Sequence, residues 1–127
     1  MDTYFPWIAV VDDEEPVRRA VMRLLRAEGL AAREFASGVE FLAALEQELP
    51  CCAIVDLHMP QMGGLEVQAR LAELAPQLPL VIVTGQHTPE LEQRVRRHPV
   101  QAYLHKPMND NLLLEAVLPL CKGDHHA

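Results

Sequence analysis

Three short apolar runs, each closed by a polar residue, constrain this chain more than any other feature. Trp7-Ile-Ala-Val-Val11 stops at Asp12, Cys52-Ala-Ile-Val runs into Asp56, and Leu80-Val-Ile-Val runs into Thr84. Runs rich in β-branched residues with no polar alternation suit strands buried on both faces, and such strands belong to parallel sheets covered by helices on each side.

The intervening segments supply the helices. Pro16 opens one, and Val17, Ala20, Val21, Leu24 and Leu25 recur at helical spacing until Gly29, a residue suited to a helix stop. Ser37 and Glu40 form a capping box for a second helix, with Phe41, Leu42 and Leu45 on its apolar face as far as about Pro50. Gly63-Gly64 precedes a third helix over Leu65 to Leu74, and Thr88-Pro89-Glu90 is the cap and first turn of a fourth. Asn109 caps a last helix through Leu112, Ala116 and Val117, which Pro119 is expected to shorten or bend. Residues 30–36 and Ala102-Tyr-Leu-His105 complete the strands. Alternation of five strands with five helices, without an internal repeat, predicts an α/β doubly wound five-stranded parallel sheet. At 127 residues the chain has material for one core, taken as residues 7–121 with 122–127 as a loose tail.

Composition narrows the function classes. A formal charge of −7 leaves no basic footprint for a phosphate backbone, so direct nucleic-acid binding by this segment is not expected. No apolar run approaches a membrane span and residues 1–6 lack a signal-peptide pattern, which predicts a soluble cytoplasmic chain with no membrane partner. Cys51 and Cys52 are adjacent and the total of three cysteines is odd, so they read as reduced, mostly buried small residues.

In an open parallel sheet, reactive groups gather beyond the carboxyl ends of the strands. Asp12 and Asp13 follow the first strand, Asp56 closes the third, Thr84 the fourth, and Lys106 follows the fifth. Three clustered carboxylates repel one another unless a cation compensates them, and Mg²⁺, which takes hard oxygen ligands together with substrate phosphate, is the natural one. An aspartate is also a nucleophile for phosphoryl transfer, a reaction that needs mainly positioning and charge neutralisation. In that arrangement Asp56 attacks, while Thr84 and Lys106 bind phosphoryl oxygens.

Val10-Val-Asp-Asp-Glu14, Ile54-Val-Asp-Leu-His-Met-Pro60 with Gly63-Gly64, Val83-Thr-Gly85 and Tyr103-Leu-His-Lys-Pro107 together resemble the receiver domains of two-component response regulators. The resemblance spans residues 7 to 121 and implies a flavodoxin-like (CheY-like) sheet of strand order 2-1-3-4-5. It implies Asp56 as phosphoacceptor, Asp12 and Asp13 as the metal-binding pair, and His58 as a backbone carbonyl ligand of Mg²⁺. It further implies Thr84 and Lys106 as phosphoryl sensors and Tyr103 as an aromatic switch. His58 and Gln86 stand where side chains tune loss of the phosphoryl group, and Lys106-Pro107 resembles a bond usually cis in the family. The implied partners are a sensor histidine kinase and an output domain or downstream protein, with a phosphorylation-dependent homodimer as one form of output.

Phe35-Ala-Ser37, Phe41-Leu42 and Thr84-Gly85 look most like receivers attached to helix-turn-helix transcription regulators of the FixJ/NarL type. Arg97-His-Pro-Val100 departs from the family's usual Gly-Ala turn at that place. Two rival functions compete for the same residues. One is an interaction module that keeps the pocket and is never phosphorylated. The other is an Mg²⁺-dependent aspartyl-phosphate phosphatase, which lacks its second acid-base aspartate here because His58 occupies that position.

Overall fold

The computed structural model describes residues 6–121; the expected tail at 122–127 lies outside them. The elements run β1 (Ile8–Val11), α1 (Glu15–Ala27), β2 (Ala32–Phe35), α2 (Gly38–Ala44), β3 (Cys52–Asp56), α3 (Gly64–Leu74), β4 (Leu80–Thr84), α4 (Pro89–Val95), β5 (Ala102–His105) and α5 (Asp110–Cys121). All pairings are parallel, and the order is β2-β1-β3-β4-β5. The central strands β1, β3 and β4 are buried throughout, as their unbroken apolar runs require. The edge strands β2 and β5 are mixed, because only one flank of each has a neighbouring strand.

The sheet divides two apolar layers. Val11, Phe41, Val55, Val67, Leu71, Ile82 and Val95 pack on the α2–α3–α4 side, and Val10, Met22, Leu25, Ile54, Val83, Leu113 and Val117 on the α1–α5 side. Each fully buried aliphatic side chain of this kind contributes about 1.5–3 kcal/mol relative to exposure, and the alternation of neighbours such as Val10 and Val11 between layers follows from the period of two along a strand.

Local signals set the helix ends. Ser37 Oγ and Thr88 Oγ1 accept hydrogen bonds from the backbone N–H groups of Glu40 and Leu91, each at 3.1 Å, and Asn109 Oδ1 accepts from Leu112 N at 3.0 Å. Gly29, at φ 76°, ends α1, with its own N–H on Arg26 O and that of Leu30 on Leu25 O.

Three expectations need correcting. The second helix stops at Ala44 rather than near Pro50: residues 45–47 continue as a turn, partly with the tighter three-residue hydrogen bonds, and Leu49, preceding Pro50, is disfavoured in helical geometry. Pro119 does not end the last helix, since α5 runs past it to Cys121, the last described residue; the proline leaves the Glu115 carbonyl without its helical donor. The cysteines are not all reduced. Cys51, just before β3, is joined to Cys121, at the end of α5, across a sequence separation of 70, while Cys52 is a buried free thiol whose pKa burial pushes up to about 12. Odd count and spacing cannot reveal a bridge that exists because two distant chain segments meet at the amino-terminal edge of the sheet.

Candidate functional site at the carboxyl ends of the strands

Strand register delivers the site. The sheet ladder continues past the strand ends through Asp12 N to Phe35 O, Leu57 N to Val83 O and Lys106 N to Thr84 O, so the loops carrying the polar residues leave from one rim. Asp12 and Asp56 are buried, at 4% and 3% exposure, and Asp13 is exposed. Carboxylate oxygens of the three lie within 4.8 Å of one another. Lys106 Nζ reaches into the cluster, 3.0 Å from Asp12 Oδ2, 3.4 Å from Asp56 Oδ2 and 2.7 Å from Glu14 Oε1.

Burial raises the Asp56 pKa most, and the neighbouring Asp12 carboxylate raises it further. Lys106 and the His58 backbone N–H, which donates to Asp56 Oδ1 at 3.3 Å, act in the opposite direction. The balance pushes the carboxyl up to about 7. Burial by itself would lower the Lys106 pKa, but Glu14, Asp12 and Asp56 outweigh it and hold the ammonium charged. One lysine is therefore shared among several acids, leaving an excess of negative charge concentrated on hard oxygen atoms. That donor set suits a divalent cation of the Mg²⁺ type.

A cavity of about 260 Å³ opens above the cluster, lined by Asp13, Glu14, Asp56, His58, Gly85, Gln86 and Lys106. The β3–α3 loop closes one side tightly. Gly64 N donates to Leu57 O at 2.9 Å, and a Cβ on Gly64 would come within 2.8 Å of Leu57 Cα and 2.9 Å of Asp56 O, so helix α3 can start this near the Asp56 backbone only with glycine there.

The other expected residues fall around the cavity in different ways. His58 and Gln86 line it. Thr84 is buried beside it, with its hydroxyl engaged away from Asp56: Oγ1 accepts from Gln86 N at 3.0 Å and donates to Gln86 O at 3.1 Å. Tyr103 lies off the cavity, half-buried against the α2–α3–α4 layer, hydrogen-bonded to His87. Burial and Glu92 raise the Tyr103 pKa, opposed by Arg96. The Lys106-Pro107 peptide is cis.

Sequence reasoning passed over two residues that shape the site. Glu14 makes the shortest contact with Lys106; its place directly after the aspartate pair was the available signal. Arg18 donates to the Asp12 carbonyl at 2.9 Å and pairs with Glu34 at 2.9 Å, bracing the end of β1 against β2. No motif marks it.

The family model for the response regulator receiver domain matches residues 8–118, and the chain belongs to that family of two-component signalling proteins. It is 34% identical over 110 residues to the response regulator protein TmoT of Ectopseudomonas mendocina, across 87% of this chain and 50% of that protein. It is 29% identical over 110 residues to the transcriptional regulatory protein FixJ of Rhizobium meliloti (strain 1021), across 87% of this chain and 54% of that protein. A receiver domain protein (CheY-like) of Methanospirillum hungatei JF-1 superposes with a TM-score of 0.84 at 29% identity, covering 90% of this chain and 91% of that one. The chain spans about half the length of the curated relatives named above. Among the described residues no helix is long and apolar enough to cross a membrane.

Proposed function

We propose that this receiver accepts a phosphoryl group on Asp56 from a phosphohistidine of a partner sensor kinase, in a reaction that requires Mg²⁺, and thereby switches the surface it offers to an output domain or downstream protein. The observation that carries this reading is the clustering of Asp12, Asp13 and Asp56 oxygens within 4.8 Å, with Lys106 Nζ 3.4 Å from Asp56.

Asp12, Asp13 and Asp56, with the His58 carbonyl, would hold the cation, which when bound supplies positive charge to carboxylate and phosphoryl oxygens. An ionised Asp56 oxygen attacks phosphorus as the bond from phosphorus to the kinase imidazole breaks, and that imidazole leaves with the electron pair. No general base is needed once the carboxyl is ionised. Lys106 neutralises charge on the phosphoryl oxygens, turning from Asp12 and Glu14 to meet them. The Thr84 hydroxyl, on leaving Gln86, supplies a further hydrogen bond, and Tyr103 changes position in response. His58 and Gln86, on the cavity wall, set how readily water reaches the acyl phosphate. A few kcal/mol of differential stabilisation is enough to shift such a two-state population decisively.

A kinase partner places this chemistry in the cytoplasm, and similarity to FixJ, named a transcriptional regulatory protein, makes a DNA-binding output elsewhere in a longer polypeptide the favoured destination of the signal. Incubation with acetyl phosphate and Mg²⁺ tests the reading: the intact protein gains the mass of one phosphoryl group, and Asp56→Asn or chelation abolishes the gain. Undiminished labelling of Asp56→Asn would refute it.

A further inference from the structure

The Thr84 hydroxyl and the Tyr103 ring are held by consecutive residues of one loop. Thr84 Oγ1 makes both of its bonds, at 3.0 and 3.1 Å, to the backbone of Gln86. Tyr103 Oη is hydrogen-bonded at 3.1 Å to Nδ1 of His87, the next residue. His87 is itself held from a second side, because its ring stacks on His105 with centroids 4.4 Å apart and planes 29° from parallel. Tyr103 and His105 alternate along β5 onto one face, their rings meet edge-on at 5.7 Å, and His105 is paired with Thr84 across the sheet. Glu92 Oε1 lies 3.9 Å from His87 Nε2, and the Arg96 guanidinium, itself paired with Glu92 at 2.9 Å, lies 5.9 Å from the Tyr103 ring centroid.

We propose that His87 is a positioning residue for the switch, a latch that holds Tyr103 at the α4 surface until Thr84 is drawn toward Asp56. The inference rests on the reading of Asp56 and Tyr103 given above and adds the part that joins them. A hydroxyl that turns to a phosphoryl oxygen must give up both bonds to Gln86. The loop backbone then loses the tie that fixes it one residue before His87, and Tyr103 loses its hydrogen-bond partner. Information thus passes from Thr84 to Tyr103 through Gln86 and His87 rather than by direct contact. His105 acts as the anvil: sitting next to Lys106 and alongside Thr84, it fixes the His87 ring in the orientation that aims Nδ1 at Tyr103.

The chain has two tyrosines, Tyr4 and Tyr103, so fluorotyrosine incorporation in a Tyr4→Phe background gives a single fluorine NMR probe on Tyr103. The wild-type ring, without phosphodonor, gives the latched resonance, and Mg²⁺ with beryllium fluoride moves it to the released one. Without any phosphodonor, His87→Ala is expected to raise the released-to-latched ratio about fivefold, the effect of losing one partly exposed hydrogen bond. His87→Asn, whose amide can occupy the place of Nδ1, should restore the latched resonance, which a generally loosened loop would not. A Tyr103 resonance unchanged in His87→Ala, or equally displaced in His87→Asn, overturns the latch. Labelling of Asp56 by acetyl phosphate is read in parallel by mass spectrometry: its failure in wild type refutes the phosphoacceptor reading, whereas intact labelling with an immobile Tyr103 refutes only the latch.

Discussion

Lys106 Nζ stands 3.4 Å from Asp56 Oδ2, yet it lies closer to Asp12, at 3.0 Å, and to Glu14, at 2.7 Å. The lysine is therefore divided, and the buried Asp56 carboxylate keeps much of its electrostatic cost. Burial first, and the neighbouring Asp12 carboxylate second, push the Asp56 pKa up to about 7, and the divided ammonium offsets them only in part.

A carboxyl that takes up its proton near 7 in the folded chain and near 3.8 when unfolded makes the metal-free protein bind more protons when folded. Between those values stability falls as pH rises, the reverse of the usual salt-bridged aspartate. Asp56→Asn should accordingly stabilise the metal-free protein by about 1–3 kcal/mol at pH 8, with the gain fading as pH drops below 7 toward 4. Urea unfolding of both proteins across that range checks the sign; a variant less stable than wild type at pH 8 contradicts it.

Removing the divided lysine should separate binding from chemistry. Lys106→Met takes a positive charge away from the acidic cluster, so Mg²⁺ should bind several-fold more tightly at neutral pH. The same substitution removes a donor to the phosphoryl oxygens and should slow labelling by acetyl phosphate about a hundredfold. Isothermal titration and labelling kinetics measure the two effects; a parallel loss of both would show that Lys106 is needed chiefly to hold the site together.

The Cys51–Cys121 bridge encloses most of the chain, but it sits at the amino-terminal edge of the sheet. Asp56 lies five residues along the strand from Cys51, about 16 Å at strand rise. Reduction should therefore lower stability by about 2–4 kcal/mol while leaving acetyl phosphate labelling unchanged. Thermal unfolding with and without reductant, alongside alkylation that finds one thiol before reduction and three after, tests the pairing and its confinement to stability.

Much of this was legible in the residues because it rests on local signals. Unbroken β-branched runs gave the central strands, and Ser37, Thr88 and Asn109 marked helix starts that their side chains do cap. The strand order followed from the resemblance to receiver domains, and the convergence of Asp12, Asp13, Asp56 and Lys106 from a parallel topology that brings strand ends to one rim. Side-chain partnership was not legible. The place of Glu14 after the aspartate pair was its one signal, but nothing in the sequence tells that Thr84 would turn its hydroxyl to Gln86, or that His87 would meet Tyr103. The disulfide escaped for the same reason, being a contact between residues 70 positions apart.

The central claim is that Asp56, among three adjacent carboxylates, is the one that carries the phosphoryl group. An acyl phosphate is reduced by borohydride to the alcohol, which turns the modified aspartate into homoserine and leaves free carboxylates untouched. Protein treated with acetyl phosphate and Mg²⁺, reduced in this way and analysed by peptide mass spectrometry, should carry homoserine at position 56 and aspartate at 12 and 13. Homoserine at position 12 or 13, or phosphate retained on a histidine with position 56 unchanged, would contradict the account.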